Sequence, residues 1–209
     1  MRYREWDTKL YEIAETQLGY FTAAQSRSAG IAPIKLIQLA RDGEIERVSR
    51  GVYRLNRYPA SPFGQYMEAA LWPQVRRPGE FAVISHASAL SLYEISDVSP
   101  AKVHITLPPS TRIRRAVPGS YVVHHAVLPA EDVTTVEGIP VTTPQRTIRD
   151  VHAAHLGTAL VRQAIEDGRR NGRLSYEHAE QLQQELLGEP PSRQEEFDRH
   201  RVRDGTGGR

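Results

Sequence analysis

Apolar positions near the start of the chain fall at three- and four-residue steps. Trp6, Leu10, Ile13, Ala14 and Leu18 lie on one face, which predicts a helix ending near Gly19. Thr22 is placed to cap a short helix over Ala23–Ser28 that Gly30 closes, and Pro33 opens a third helix that runs to Arg41 and stops at Asp42-Gly43. On this third helix Leu36, Leu39 and Ala40 share one face, while Ile34, Lys35, Gln38 and Arg41 lie mostly on the other. Then the period changes. Ile45 and Val48, followed by Val52, Tyr53 and Leu55, flank Ser49-Arg50-Gly51, the pattern of a hairpin turn. Two short helices, a helix with an exposed polar face and a basic hairpin make a winged helix-turn-helix plan.

The turn-rich segment Asn56–Pro62 marks a boundary, so residues 1–58 are expected to form a DNA-binding head. Residues 59–188 are expected to form an α/β body. Phe63–Leu71 has helical spacing and ends at Trp72-Pro73, Phe81–Ile84 is a short apolar run, and Ser85 is placed to cap a helix reaching Tyr93. Val103, Ile105 and Leu107 alternate with His104 and Thr106 as in a half-buried strand; Tyr121–Val127 and Gly138–Thr142 supply two more strands. Thr147–Leu156, Thr158–Asp167 and Tyr176–Leu187 read as helices, so the fold class expected is α+β with a helical end. Residues 189–209 form a polar, Pro- and Gly-marked tail, expected to be flexible.

Composition narrows the function. The chain has 209 residues, no cysteine and a formal charge of +2. Without cysteine, disulfide frameworks, thiolate metal sites and thiol nucleophiles are excluded. No apolar run reaches the roughly 20 residues of a membrane helix, and the charged stretch Met1–Glu15 lacks the apolar core of a secretory signal. A cytoplasmic protein without membrane contact is expected. The near-zero charge is a cancellation: residues 1–60 hold 10 Lys/Arg against 7 Asp/Glu, whereas residues 129–209 hold 11 against 14. A polyanion would meet the front.

Within residues 27–57 the net charge is +4, from Arg27, Lys35, Arg41, Arg47, Arg50, Arg54 and Arg57 against Asp42, Glu44 and Glu46. A recognition helix presents its first residues to base edges while wing cations meet phosphates. Ile34, Lys35 and Gln38 are therefore the expected readers, through a thymine methyl, a guanine and an adenine respectively. Thr22, Arg27, Pro33, Arg41, Arg47, Ser49, Arg50 and Arg54 complete the expected contact set, much of it sequence-blind and salt-sensitive. Arg112, Arg114 and Arg115 follow Pro108-Pro109; they either extend the phosphate-binding face or protect a strand edge with charge.

No metal site, cofactor or catalytic centre is expected. His124 and His125 are neighbours on a strand and point to opposite faces; His152 and His155 share a helix face but lack a third ligand. His86 reads as a hydrogen-bonded structural histidine, and Ser85-His86-Ala87-Ser88 lacks the glycines of a nucleophile elbow. There is no phosphate-cradling Gly-rich loop, and Lys9, Lys35 and Lys102 stand beside no paired acidic motif of a metal nuclease.

Tyr20–Gln25, Leu39–Ile45 and Arg50–Arg54 together resemble the winged-helix head of AbiEi-family antitoxins, and Ile84–Leu90, Val103–Leu107 and Gly138–Thr147 are similar to that family's body. The likeness runs from about residue 5 to 187. It implies an antitoxin that is also a transcriptional repressor: the head binds double-stranded operator DNA with inverted repeats, and the body counters a cognate nucleotidyltransferase-like toxin, directly or indirectly. DNA contact falls on Lys35, Gln38, Arg47 and Arg50, and no catalysis is implied. Inverted repeats imply two copies per operator, paired or independent. Two rivals stand beside this reading: a nuclease delivered by its winged helix, and a ligand-responsive regulator.

Overall fold

The computed structural model describes residues 5–75, 81–113 and 116–188. The expected tail, together with Arg114 and Arg115, lies outside the described residues. Two apolar cores organise the chain, one in the head and one in the body.

In the head, α1 (Glu5–Ala14) gives way to a single 3-10 turn over Glu15–Gln17, one turn earlier than the Leu18 periodicity predicts. Leu18 takes a left-handed conformation with φ 53° and packs against the body's core instead of continuing the helix. A short strand follows that the sequence pattern did not predict, β1 (Tyr20–Thr22). Then come α2 (Ala23–Ser28) and α3 (Pro33–Arg41), followed by a hairpin of β2 (Ile45–Ser49) and β3 (Val52–Leu55). The three strands pair antiparallel in the order β1-β3-β2, with a bulge between Arg47 and Ser49. Leu10, Ala14, Phe21, Ile31, Leu36, Leu39, Ile45 and Leu55 fill the core between the helices and this small sheet. The result is a winged helix-turn-helix.

The body begins with α4 (Gly64–Leu71), then β4 (Val83–Ile84) and α5 (His86–Tyr93). It continues through β5 (Val103–Leu107), β6 (Tyr121–His125), β7 (Val133–Val136) and β8 (Ile139–Thr142), and closes with α6 (Pro144–Ala153), α7 (Thr158–Arg170) and α8 (Tyr176–Leu187). The five strands form one mixed sheet in the order β6-β5-β4-β8-β7. β5 and β6 run parallel, as do β4 and β8, while β4–β5 and β7–β8 are antiparallel. β7 was not expected; it pairs with β8 across a tight turn at Glu137-Gly138, both with positive φ. α6 starts at Pro144, three residues before the expected start, because the Thr143 hydroxyl caps it and Pro suits the first helical position.

Head and body share an apolar seam. Val52 of the wing belongs to the body's core, and Leu18 and Tyr20 pack against it. At the same seam Gly138 lies against the Thr16 carbonyl, where an added Cβ would sit 2.6 Å from the oxygen. No helix among the described residues is long and apolar enough to cross a membrane.

Candidate nucleic-acid interface

The exposed side of α3 is the centre of the candidate interface. Leu36 and Leu39 are buried in the head, and their burial fixes the helix rotation. What remains outward is Ile34, Ile37, Gln38 and Arg41, at the i, i+3, i+4, i+7 spacing of one helical face. Ile34 and Ile37 are 60% and 63% exposed, more than any other large apolar side chains of the described residues except Val127. Two isoleucines held in water on a single helix face are an unsatisfied apolar surface. Ile37 was missed by the sequence reading, although its spacing from Ile34 and Arg41 already placed it there.

Lys35 has a partner within the head. It is half-buried, and its Nζ lies 4.9 Å from the centre of the Trp6 ring, a cation–π contact that ties α3 to α1. Trp6, Lys9, Gly30, Ile31, Ala32 and Lys35 line a shallow pocket at the start of α3. Ala32, the residue before this helix, provides no side-chain cap. The pocket at the first turn of α3 therefore brings two lysines together, a combination that suits a phosphate oxygen.

The remaining expected contacts divide by what else they hold. Arg27, Pro33, Arg41, Arg47 and Arg50 are exposed. Arg50 forms the wing turn with Gly51, whose carbonyl accepts from the Ala23 amide at 2.9 Å and so couples the wing to the start of α2. Arg54 is engaged elsewhere: its Nη2 donates to the Tyr58 carbonyl at 2.7 Å and its guanidinium lies 6.0 Å from the Tyr20 ring. Arg57 pairs with Asp7 at 2.6 Å. Thr22 is fully buried, and its hydroxyl accepts from the Gln25 amide while the Gln25 side chain accepts from the Thr22 amide. That capping box occupies Thr22 inside the head, away from any ligand. Ser49 is half-buried with a hydroxyl that has no partner among the described residues. Arg112 is exposed in the segment after β5.

A second polar cluster lies in the body. His104 on β5 and His124 on β6 sit on the same sheet face, because parallel pairing sets Thr106 opposite His124 and His104 opposite Val122. His104 Nδ1 is 3.0 Å from His124 Nε2. The His86 ring stacks on His124 at 3.6 Å between centroids, and its Nδ1 is 2.9 Å from Ser85 Oγ. Burial, reinforced by the neighbouring imidazoles, pushes His86 down to about 3 and lowers His104; burial also lowers His124, against the pull of Asp150. All three rings are neutral at neutral pH. Ser85 stands at the expected capping position, but its hydroxyl is spent on His86 and on a bond accepted from Thr106 at 2.8 Å. His125 points to the opposite face, as the strand alternation predicts.

Comparison with known proteins decides the family. Residues 9–56 match the family described as "Transcriptional regulator, AbiEi antitoxin", and residues 81–165 match the "AbiEi antitoxin C-terminal domain". The chain belongs to the AbiEi antitoxin family. The two matched segments fall on the head and the body in turn, and the second contains all three clustered histidines. The AbiEi chain also shares its fold with the RV2827C protein from Mycobacterium tuberculosis, whose crystal structure aligns with a TM-score of 0.51 at 19% identity. That alignment covers 87% of this chain and 72% of the other. No curated protein matches the sequence.

Proposed function

We propose that this AbiEi-family regulator and antitoxin represses its own operon by seating α3 in the major groove of an inverted-repeat operator, with one copy on each half-site. The observation that carries the reading is the outward face of α3. Ile34 and Ile37 suit thymine methyls, Gln38 suits an adenine edge, and Arg41 closes the row. Arg27 on α2 and Arg47 and Arg50 on the wing meet phosphates on either side. A further phosphate takes the pocket at the start of α3, beside Lys9 and Lys35. Lys35 thus moves from reading a base to supporting the helix and its first phosphate.

In the same proposal the body counters a nucleotidyltransferase-like toxin, and the chain acts in the cytoplasm without catalysing a reaction. Residues 1–58 serve DNA and residues 59–188 serve the toxin, and the two meet at the seam of Val52 and Gly138. The test is a reporter driven by the protein's own promoter, together with growth rescue from the neighbouring toxin gene. Wild type should repress and rescue. A full-length Q38A/R47A/R50A variant should lose repression and keep rescue. Repression unaffected by these changes would contradict the DNA face, and failure of wild type to rescue would contradict the toxin assignment.

A further inference from the structure

We infer that His86, His104 and His124 form a binding site for a borderline transition-metal dication such as Zn²⁺. One potential ligand nitrogen from each histidine can be chosen so that all lie within 4.8 Å of one another. Around a tetrahedral zinc ion with bonds of about 2.0–2.1 Å, ligand atoms stand roughly 3.3 Å apart. His104 Nδ1 and His124 Nε2, at 3.0 Å, are already near that spacing. The third donor needs a movement of an ångström or so on the same geometric argument. The parallel stack of His86 on His124 must open for both lone pairs to aim at one ion. Rotation about the soft imidazole torsion allows it.

The surroundings fit a cation. His86 Nδ1 is 2.9 Å from Ser85 Oγ, which itself accepts from Thr106, so the ring is held in place and the tautomer sets which ring nitrogen carries the lone pair. Asp150 acts electrostatically on His124, and its Oδ2 is buried without a hydrogen-bond partner among the described residues. Its other oxygen is 2.8 Å from Arg146 Nε, and Arg146 also reaches Asp132 at 2.8 Å, so this group carries one net negative charge. A buried carboxylate oxygen without a donor is the kind of group that takes the second nitrogen of a metal-bound imidazole once the two approach. Backbone strain adds an independent sign. His86 opens α5 with φ 52°, a left-handed conformation unfavourable for a residue with a Cβ. Such strain concentrates where a side chain must be aimed.

Neutral imidazoles select Zn²⁺, Ni²⁺, Co²⁺ and Cu²⁺ over Mg²⁺ or Ca²⁺, and three protein ligands leave a fourth position for water. The ion would tie the edge strand β6 to β5 and to the first residue of α5, a structural clamp within the body. The site does not depend on the DNA-binding proposal.

The experiment uses untagged full-length protein stripped with chelator and titrated with Zn²⁺ by calorimetry, with Co²⁺ as a spectroscopic probe. One Zn²⁺ per chain should bind, and Co²⁺ should give the visible absorption of a four-coordinate nitrogen-rich site. At free Zn²⁺ about 100 times Kd the thermal midpoint should rise by about 5–10 °C. H104N and H124N should each weaken binding by at least about 100-fold while keeping the metal-free circular dichroism. H125N and H152N should bind as wild type. If H104N unfolds, H124N on the edge strand decides alone. Absence of Zn²⁺ binding by wild type, or binding that survives H124N, would overturn the site.

Discussion

Lys35 Nζ stands 4.9 Å from the centre of the Trp6 ring, so this cation in the first turn of α3 packs on its own protein. Gln38, about one helical turn further along α3 and exposed, is the residue proposed to discriminate between bases. Q38A should relax sequence preference by about 1–3 kcal/mol at one base pair. K35A should weaken operator and random DNA together, through the lost phosphate and the loosened α1–α3 contact. Competition binding with single-base operator variants separates the two outcomes.

Ile37 offers a change that tests function without touching the core. It is 63% exposed, so I37S should alter stability by less than about 0.5 kcal/mol. Operator affinity should nevertheless fall, because an apolar contact to the base edge is lost. Chemical denaturation and operator binding of the same preparation check both halves of the statement.

Arg47, Arg50 and Arg54 are all wing cations, yet they should behave differently. R47A/R50A should reduce the slope of log affinity against log salt by about 2, one for each phosphate released. R54A should leave that slope unchanged, since Arg54 is bound to the Tyr58 carbonyl, and should lower stability instead. A salt series on the two variants distinguishes a phosphate contact from a structural cation.

The seam between head and body should be sensitive to a single methyl group. G138A places a Cβ 2.6 Å from the Thr16 carbonyl and forces alanine into φ 77°. Both effects act together, so a loss on the order of 1–3 kcal/mol is expected. G172A has positive φ but nothing near its Cβ, and should cost less. The difference in denaturation midpoint between these variants isolates the contact.

Much of the head was legible because its signals are local. Pro33 and Asp42-Gly43 bracket α3, and Ser49-Arg50-Gly51 marks the wing turn, each from a few adjacent residues. β1 was not legible: its three residues become a strand only by pairing with Val52, Tyr53 and Arg54. β7 was missed for the same reason, since Val133–Val136 pairs with β8 across an unusual positive-φ turn. The role of Lys35 depended on where α1 packs, and the burial of Thr22 on the small sheet around it. The histidine cluster lay furthest from reach. Scanning neighbours finds His124-His125 and His152–His155, whereas the rings that meet come from α5, β5 and β6 and are brought together by strand register and by the packing of α5 on the sheet.

In the proposed function the outward face of α3 reads operator sequence. Its most direct test is the affinity of the full-length protein for its own promoter against a scrambled duplex of equal length, measured at fixed salt for wild type and the I37S/Q38A variant. Wild type should prefer the promoter by about 10³-fold or more, and the variant should lose most of that preference while still binding the scrambled duplex. Equal wild-type affinity for the two duplexes, or a preference undiminished in I37S/Q38A, would contradict it.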